Sequence, residues 1–291
     1  MKDRAVMRSI RRLLILIVFQ HGLAGNTVSA QDVDLFQRFR APFVEHLIEI
    51  DGGQLCCVER PGEGPSLMLI PGTFSDSRVF SRLVPYLDPS LRLLLVENRG
   101  LGRSWPPPVD GSIDLCARDD LLIANRLGVE SFYVGGHSLG GMISIEMARV
   151  SPEKLRGVIS IEGWSHWHGA RDAFGGDMKS TLSESQLDEL ARYRQDTLQN
   201  WTEEQRSAFG RIWKNWDGEP TLRTTTLPVL ELYGDRGRPQ ATREQLRIPD
   251  RENIQLRWFA GASHSLHYER PKLVAGAINQ FIHQCEAQAA P

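Results

Sequence analysis

Short runs of nearly unbroken apolar residues recur along this chain: Leu67 to Ile70, Leu91 to Val96, Phe132 to Val134, Val158 to Ile161, Val229 to Leu232 and Ile254 to Trp258. A strand that reads this way has no wet face. It belongs in a sheet covered on both sides, and such sheets are mostly parallel, with crossovers between neighbouring strands. Helical patterns fill the intervals, around Val79–Leu87, Asp114–Leu127, Gly140–Val150 and Lys272–Cys285. Upstream, Phe43 to Ile50 alternates polar and apolar, and Asp51-Gly52-Gly53 turns it into Gln54 to Glu59, as in an antiparallel hairpin. The expected fold is α/β: a mostly parallel eight-stranded sheet with helices on both faces.

One interval breaks the rhythm. Residues 164–226 show no strand signal and two helical patterns, Ser183–Asn200 and Thr202–Asn215, each opened by an N-cap residue with Glu in the first turn. The interval holds Trp164, Trp167, Trp201, Trp213 and Trp216, five of the seven tryptophans. It is expected to be a helical cap inserted after the sixth strand, over the sheet edge where open parallel sheets place their sites. The core then comprises residues 31–163 and 227–291.

Residues 1–30 stand apart. A basic head (Lys2, Arg4, Arg8, Arg11, Arg12) precedes the apolar run Leu13 to Phe19, and small residues close the segment at Val28-Ser29-Ala30. That order is a signal peptide's, so export to a periplasmic or extracellular space is expected; the apolar run is too short to span a bilayer. A formal net charge of −2 and the lack of a basic stripe point away from nucleic acid and from anionic membrane surfaces. Four cysteines are too few for a disulfide scaffold at this length, and adjacent Cys56 and Cys57 should face opposite sides of a strand.

The chemistry centres on Gly136-His137-Ser138-Leu139-Gly140. As letters, G-x-S-x-G is a weak signal. Here the apolar strand Phe132-Tyr133-Val134 precedes it and a helix from Gly141 follows, the context of a sharp strand-to-helix turn that exposes a serine hydroxyl at a helix N-terminus.

With that turn in place, the chain resembles the α/β-hydrolase superfamily over about residues 43–285. The matching features run in order: Pro71-Gly72-Thr73-Phe74 after the third strand, Asn98 to Ser104 after the fourth, the serine turn after the fifth, a cap after the sixth, Tyr233-Gly234-Asp235 after the seventh, and Ala262-Ser263-His264 through Glu269-Arg270-Pro271 after the eighth. The capped shape is similar to the pimeloyl-carrier-protein esterase and haloalkane dehalogenase branch, and a serine at position 138 excludes dehalogenase chemistry. The resemblance implies Ser138 as nucleophile, His264 rather than His267 as general base, and the Thr73 and Leu139 amides as oxyanion hole. The acid departs from the pattern: Gly237 stands where the family carries Asp. Glu162, ending the sixth strand, is the first candidate, because some relatives place the acid there and a carboxylate closing an apolar strand is costly unless paired. Asp235 is the second.

Phe74, Trp164 and Trp167 are expected to border the substrate pocket. His166 and His168 lack a clear third ligand, so no metal is expected, and no other cofactor is implied. The expected activity is hydrolysis of a small or medium carboxylic ester through an acyl-enzyme. The alternatives are C–C bond or lactone hydrolysis or acyl transfer with the same triad, and, in another class, ligand binding on a non-catalytic hydrolase scaffold.

Overall fold

A computed structural model describes residues 43–175 and 181–289; the leader expected at residues 1–30 lies outside them. Eight strands form one sheet in the order β1-β2-β4-β3-β5-β6-β7-β8. They are β1 (Val44–Ile50), β2 (Gly53–Arg60), β3 (Ser66–Ile70), β4 (Arg92–Glu97), β5 (Phe132–His137), β6 (Leu155–Ile161), β7 (Val229–Gly234) and β8 (Ile254–Phe259). β2 runs antiparallel to both β1 and β4, and every later pairing is parallel. The hairpin and the buried parallel strands expected from the sequence are therefore both present.

The helices are α1 (Ile113–Arg126), α2 (Leu139–Val150), α3 (Trp167–Phe174), α4 (Glu184–Leu198), α5 (Glu203–Phe209), α6 (Glu219–Thr224), α7 (Arg243–Leu246), α8 (Leu266–Glu269) and α9 (Pro271–Ala289). Alternate residues of each central strand feed two apolar layers. Met68, Val134 and Tyr233 pack with α1 and α2, while Leu69, Leu230 and Leu232 pack with α9. Cys56 and Cys57 enter opposite layers, as adjacent strand residues must. All four cysteines are free and buried.

Two expected helices are corrected. Val79–Leu87 is not one α-helix but two 3₁₀ turns, Ser77–Phe80 and Val84–Tyr86. Pro85 lacks an N–H and its ring crowds the carbonyl a turn earlier, so α-geometry cannot run through it. Thr202–Asn215 is helical only over α5, where Gly210 caps the end and tight i→i+3 bonds follow. Between β6 and β7 lie α3 to α6, of which α3 and α6 gave no clear periodic signal. Ser183 and Thr202 each close a capping box, with Gln186 and Gln205, and so start α4 and α5 where the sequence placed them.

This insertion is tied to the core by buried polar contacts. Arg78 bridges Asp76 at 2.7 Å and Asp196 of α4 at 3.0 Å, and its guanidinium lies 4.6 Å from the Tyr193 ring centre. The Trp201 indole donates to the Gly100 carbonyl at 2.6 Å. Among the described residues, no helix is long and apolar enough to cross a membrane.

Glu231 is an acid inside the core. It is fully buried on β7, in register with Ser160 of β6, and only the Ser160 and Tyr233 hydroxyls stand near its carboxyl group, without close hydrogen-bond geometry, among the described residues. Burial raises its pKa from 4.5 to about 7. An acid with a raised folded pKa is neutral in both states at low pH, and it destabilises the fold as pH rises from the unfolded value to the folded one. Relative to Glu231→Gln, the wild type should lose about 3 kcal/mol of stability between pH 4 and pH 8. Urea unfolding of both proteins at the two pH values checks this, and parallel pH dependences would contradict it.

Candidate active site

β3 and β5 are neighbours, with β4 on the far side of β3 and β6 on the far side of β5. Chain leaving β3 and chain leaving β5 therefore diverge, and a crevice opens at their carboxyl ends. The loop Pro71-Gly72-Thr73 enters it from one strand and Ser138 from the other. They meet closely: a Cβ placed on Gly72 would stand 3.3 Å from the Ser138 Cβ.

Ser138 caps α2 with φ 54° and ψ −117°, a conformation that strains any residue with a side chain. The flanking glycines make the turn possible. A Cβ on Gly136 would lie 2.3 Å from the Gly140 carbonyl carbon, and one on Gly140 would lie 2.0 Å from the Ile70 oxygen. Both obstacles are backbone and cannot step aside. The turn is pinned from below, where the Ser138 amide donates to the Ile161 carbonyl at 2.9 Å. The serine thus sits where the unpaired N–H groups and dipole of α2 favour negative charge.

Glu162 follows β6 and is completely buried, also with positive φ, at 54°. Its Oε2 lies 3.3 Å from His264 Nδ1. The Gly234 amide donates to Oε1 at 2.7 Å. Arg236, after β7, donates Nη1 to Oε1 at 3.1 Å and Nη2 to Oε2 at 2.7 Å, a bidentate pair with a side chain only 5% exposed. The guanidinium also lies 3.9 Å from the Phe174 ring centre of α3. Asp235 is engaged elsewhere: its Oδ1 accepts the amides of Gly237 at 2.8 Å and Gly261 at 2.7 Å, joining the loops after β7 and β8.

His264 stands after β8 in a loop that Glu269 fastens by accepting the Ser263 amide at 2.7 Å. Two further imidazoles crowd it. His137 lies 4.9 Å from His264 and 4.2 Å from His267, centre to centre, and a His137 nitrogen contacts the His264 carbonyl at 2.7 Å. Burial, reinforced by the neighbouring rings, holds His137 well below the ordinary histidine value. Burial likewise brings His267 down to about 3. Both are uncharged near neutrality and are poor proton acceptors.

A cavity of about 980 Å³ opens over these residues. Thr73, Ser138, Leu139, Trp164 and His264 border it from the core, and α4 supplies the opposite wall through Leu187, Leu190, Ala191, Arg194 and Leu198, spaced along one helix face. Of the expected pocket residues, Trp164 borders the cavity. Phe74 instead packs on Trp201 and Phe209, and Trp167 on Trp213, so neither is among the bordering side chains. The Phe74 ring packs the insertion to the core and the Trp167 ring packs the insertion on itself, while Trp213 takes a place on the wall. His166 caps α3 by accepting the His168 amide at 2.9 Å, which accounts for the His-x-His pair. Arg236 was not foreseen. An arginine next to an aspartate in a turn reads as solvated, and nothing in the letters signals that its head turns inward.

Sheet order, serine turn and crevice define an α/β hydrolase, and the family model for the alpha/beta hydrolase fold matches residues 65–228. The chain belongs to that family. It is 25% identical over 243 residues to a pimeloyl-[acyl-carrier protein] methyl ester esterase of Legionella pneumophila, covering 77% of this chain and 98% of the relative. A chain of Agrobacterium fabrum, provisionally assigned as the carbamate hydrolase RutD, is 31% identical over 104 residues, which is 35% of this chain and 40% of that relative's length. A thermophilic esterase from Thermogutta terrifontis shares the fold with a TM-score of 0.66 at 20% identity, over 84% of this chain and 99% of its own.

The buried His267 has a consequence for stability. Free in the unfolded chain it takes a proton near 6.5, and in the fold only near 3. Its stabilising contribution is complete above the unfolded value and is lost as pH falls towards the folded one. Between pH 7 and pH 4.5 the wild type should lose roughly 3 kcal/mol more than His267→Phe, whose ring suits the contact with Phe80. Chemical denaturation at both pH values measures the difference, and equal losses would refute the assignment.

Proposed function

We propose that the chain is a serine hydrolase that cleaves small or medium carboxylic esters through an acyl-enzyme. The observation that carries this reading is the line from Glu162 Oε2 to His264 Nδ1, 3.3 Å long, beside the Ser138 turn at the mouth of the cavity. Ser138 Oγ attacks the ester carbonyl while its proton passes to His264 Nε2, and Nδ1–H points to Glu162. The tetrahedral oxyanion is held by the Leu139 and Thr73 amides, each contributing about 3 kcal/mol in the transition state. His264 returns the proton to the departing alkoxide. Water, deprotonated by the same imidazole, then releases the acid and restores Ser138. The insertion serves as a cap that narrows the approach to the serine.

Glu162 is favoured over Asp235 because its carboxylate meets His264 while Asp235 is tied to two loop amides. Arg236 is a positioning residue. It grips both carboxylate oxygens, sharing Oε2 with His264, and so fixes the carboxylate plane and compensates the buried charge.

Ser138→Ala should abolish fluorophosphonate labelling and lower kcat by up to about a millionfold on an ester such as p-nitrophenyl butyrate. Labelling that persisted in this variant would sink the nucleophile assignment. Glu162→Gln is expected to lower kcat about ten-thousandfold, with Asp235→Asn near wild type. The reverse order would move the acid to Asp235. Arg236→Met should reduce kcat by about a hundredfold at little change in KM, and Arg236→Lys should restore part of it. A KM effect alone would assign Arg236 to substrate binding instead.

A further inference from the structure

The cavity wall has a charge bias that simple ester hydrolysis leaves unexplained. Histidines aside, the ionisable residues bordering it among the described residues are Arg194, Arg206 and Tyr193; no carboxylate does so among them. The nearby acids are committed: Asp76 and Asp196 hold Arg78, and Glu189 holds Arg82 and the Tyr193 hydroxyl. Arg194 and Arg206 have no carboxylate partner among the described residues.

Arg206 is the more informative of the two. It is half-buried on α5, its Nη2 donates to the Leu198 carbonyl at 2.9 Å, and its Nε is buried with no acceptor among the described residues. A guanidinium carries five donors in a rigid fork, and leaving a buried donor empty costs free energy. One helical turn further on, Phe209 packs against Phe74, the residue after Thr73. The cation therefore sits on the segment of the insertion that leans against the proposed oxyanion loop. Arg194, exposed on the α4 wall, adds a second positive charge.

We propose that the cavity selects esters carrying a second, anionic group, a carboxylate or a phosphate. Arg206 receives that group, aided by Arg194, while the ester carbonyl lies at Ser138. The proposal rests on the ester-hydrolase reading and adds a substrate class to it. An oxyanion in the cavity supplies the negative charge that the guanidinium groups of Arg206 and Arg194 lack, whereas a neutral chain of equal length leaves them uncompensated.

The test compares matched esters: monomethyl adipate with methyl hexanoate, and 2-acetoxyethyl phosphate with butyl acetate. The wild type should favour at least one anionic member by about tenfold or more in kcat/KM, mainly through KM, and the favoured pair tells carboxylate from phosphate. Arg206→Met combined with Arg194→Met should erase the preference, read as the ratio of anionic to neutral kcat/KM within the one variant; Arg206→Lys should keep part of it. Calorimetry with adipate and with inorganic phosphate reads the same site without turnover. If no ester is cleaved, binding of either anion that disappears in the double variant upholds the anion site while the hydrolase reading fails. Equal or better cleavage of the neutral members, a preference that survives the double variant, or no anion binding to an enzyme that turns over neutral esters would overturn the proposal.

Discussion

Glu162 carries its carboxylate at the end of an apolar strand with no exposure to water, where an unpaired polar group is costly. Four nitrogens meet it: the Gly234 amide, two of Arg236 and one of the His264 imidazole. Three come from the end of β7 and the turn after it and one from the loop after β8, so the buried carboxylate, itself following β6, draws three stretches of the carboxyl edge of the sheet to one point. Removing one partner of a buried pair typically costs about 3–5 kcal/mol, because the remaining charge is stranded. The proposed acid is thus also the keystone of the local fold. In the family pattern the loop after β7 carries an acid; here it carries Gly237 at that place and, one residue earlier, a cation.

The same edge concentrates backbone strain. Phe74, Ser138, Glu162 and Arg236 follow β3, β5, β6 and β7, and all have φ between 54° and 57°. Residues with side chains held in this region cost of order 1–3 kcal/mol each. The two buried layers beneath, with hydrogen-bonded strands between them, overdetermine the positions and hold the strain. What the strain achieves is direction. An ordinary strand end would alternate its last side chains up and down, whereas these turns redirect them: Ser138 to the cavity, Glu162 and Arg236 towards each other, and Phe74 onto Trp201 and Phe209.

Much of this was readable from the letters, for physical reasons that differ by residue. Ser138 was legible because Gly136 and Gly140 are both required by backbone collisions, so the motif and the geometry are one constraint. Glu162 was legible because a carboxylate is anomalous on Val158-Ile159-Ser160-Ile161. Asp235 stayed open as an alternative, since a loop aspartate gives no sign of which amides it will accept. Arg236 was not legible at all, its role depending on where two loops cross. Helix content misled where local breakers outweighed periodicity, at Pro85 and Gly210. The aromatic residues misled for another reason: Phe74 and Trp167 are the right type for a pocket wall, and the same type is what fastens an insertion to a core.

That last ambiguity bears on how the molecule divides its work. The proposed triad is drawn from strand ends, where register and burial leave little freedom. The cavity wall is drawn from α4 and α5, which reach the core through a few side chains: Arg78 with its acids, Trp201 on Gly100, and Phe209 on Phe74. Arg236 joins the two systems, since the guanidinium that holds Glu162 also lies against Phe174 of the insertion. A change in the wall can therefore alter which substrate the cavity admits without touching the proposed triad, unless it passes through Phe174. There the packing of the insertion and the orientation of the proposed acid share one side chain, so the position of α3 and the placement of the Glu162 carboxylate are bound together.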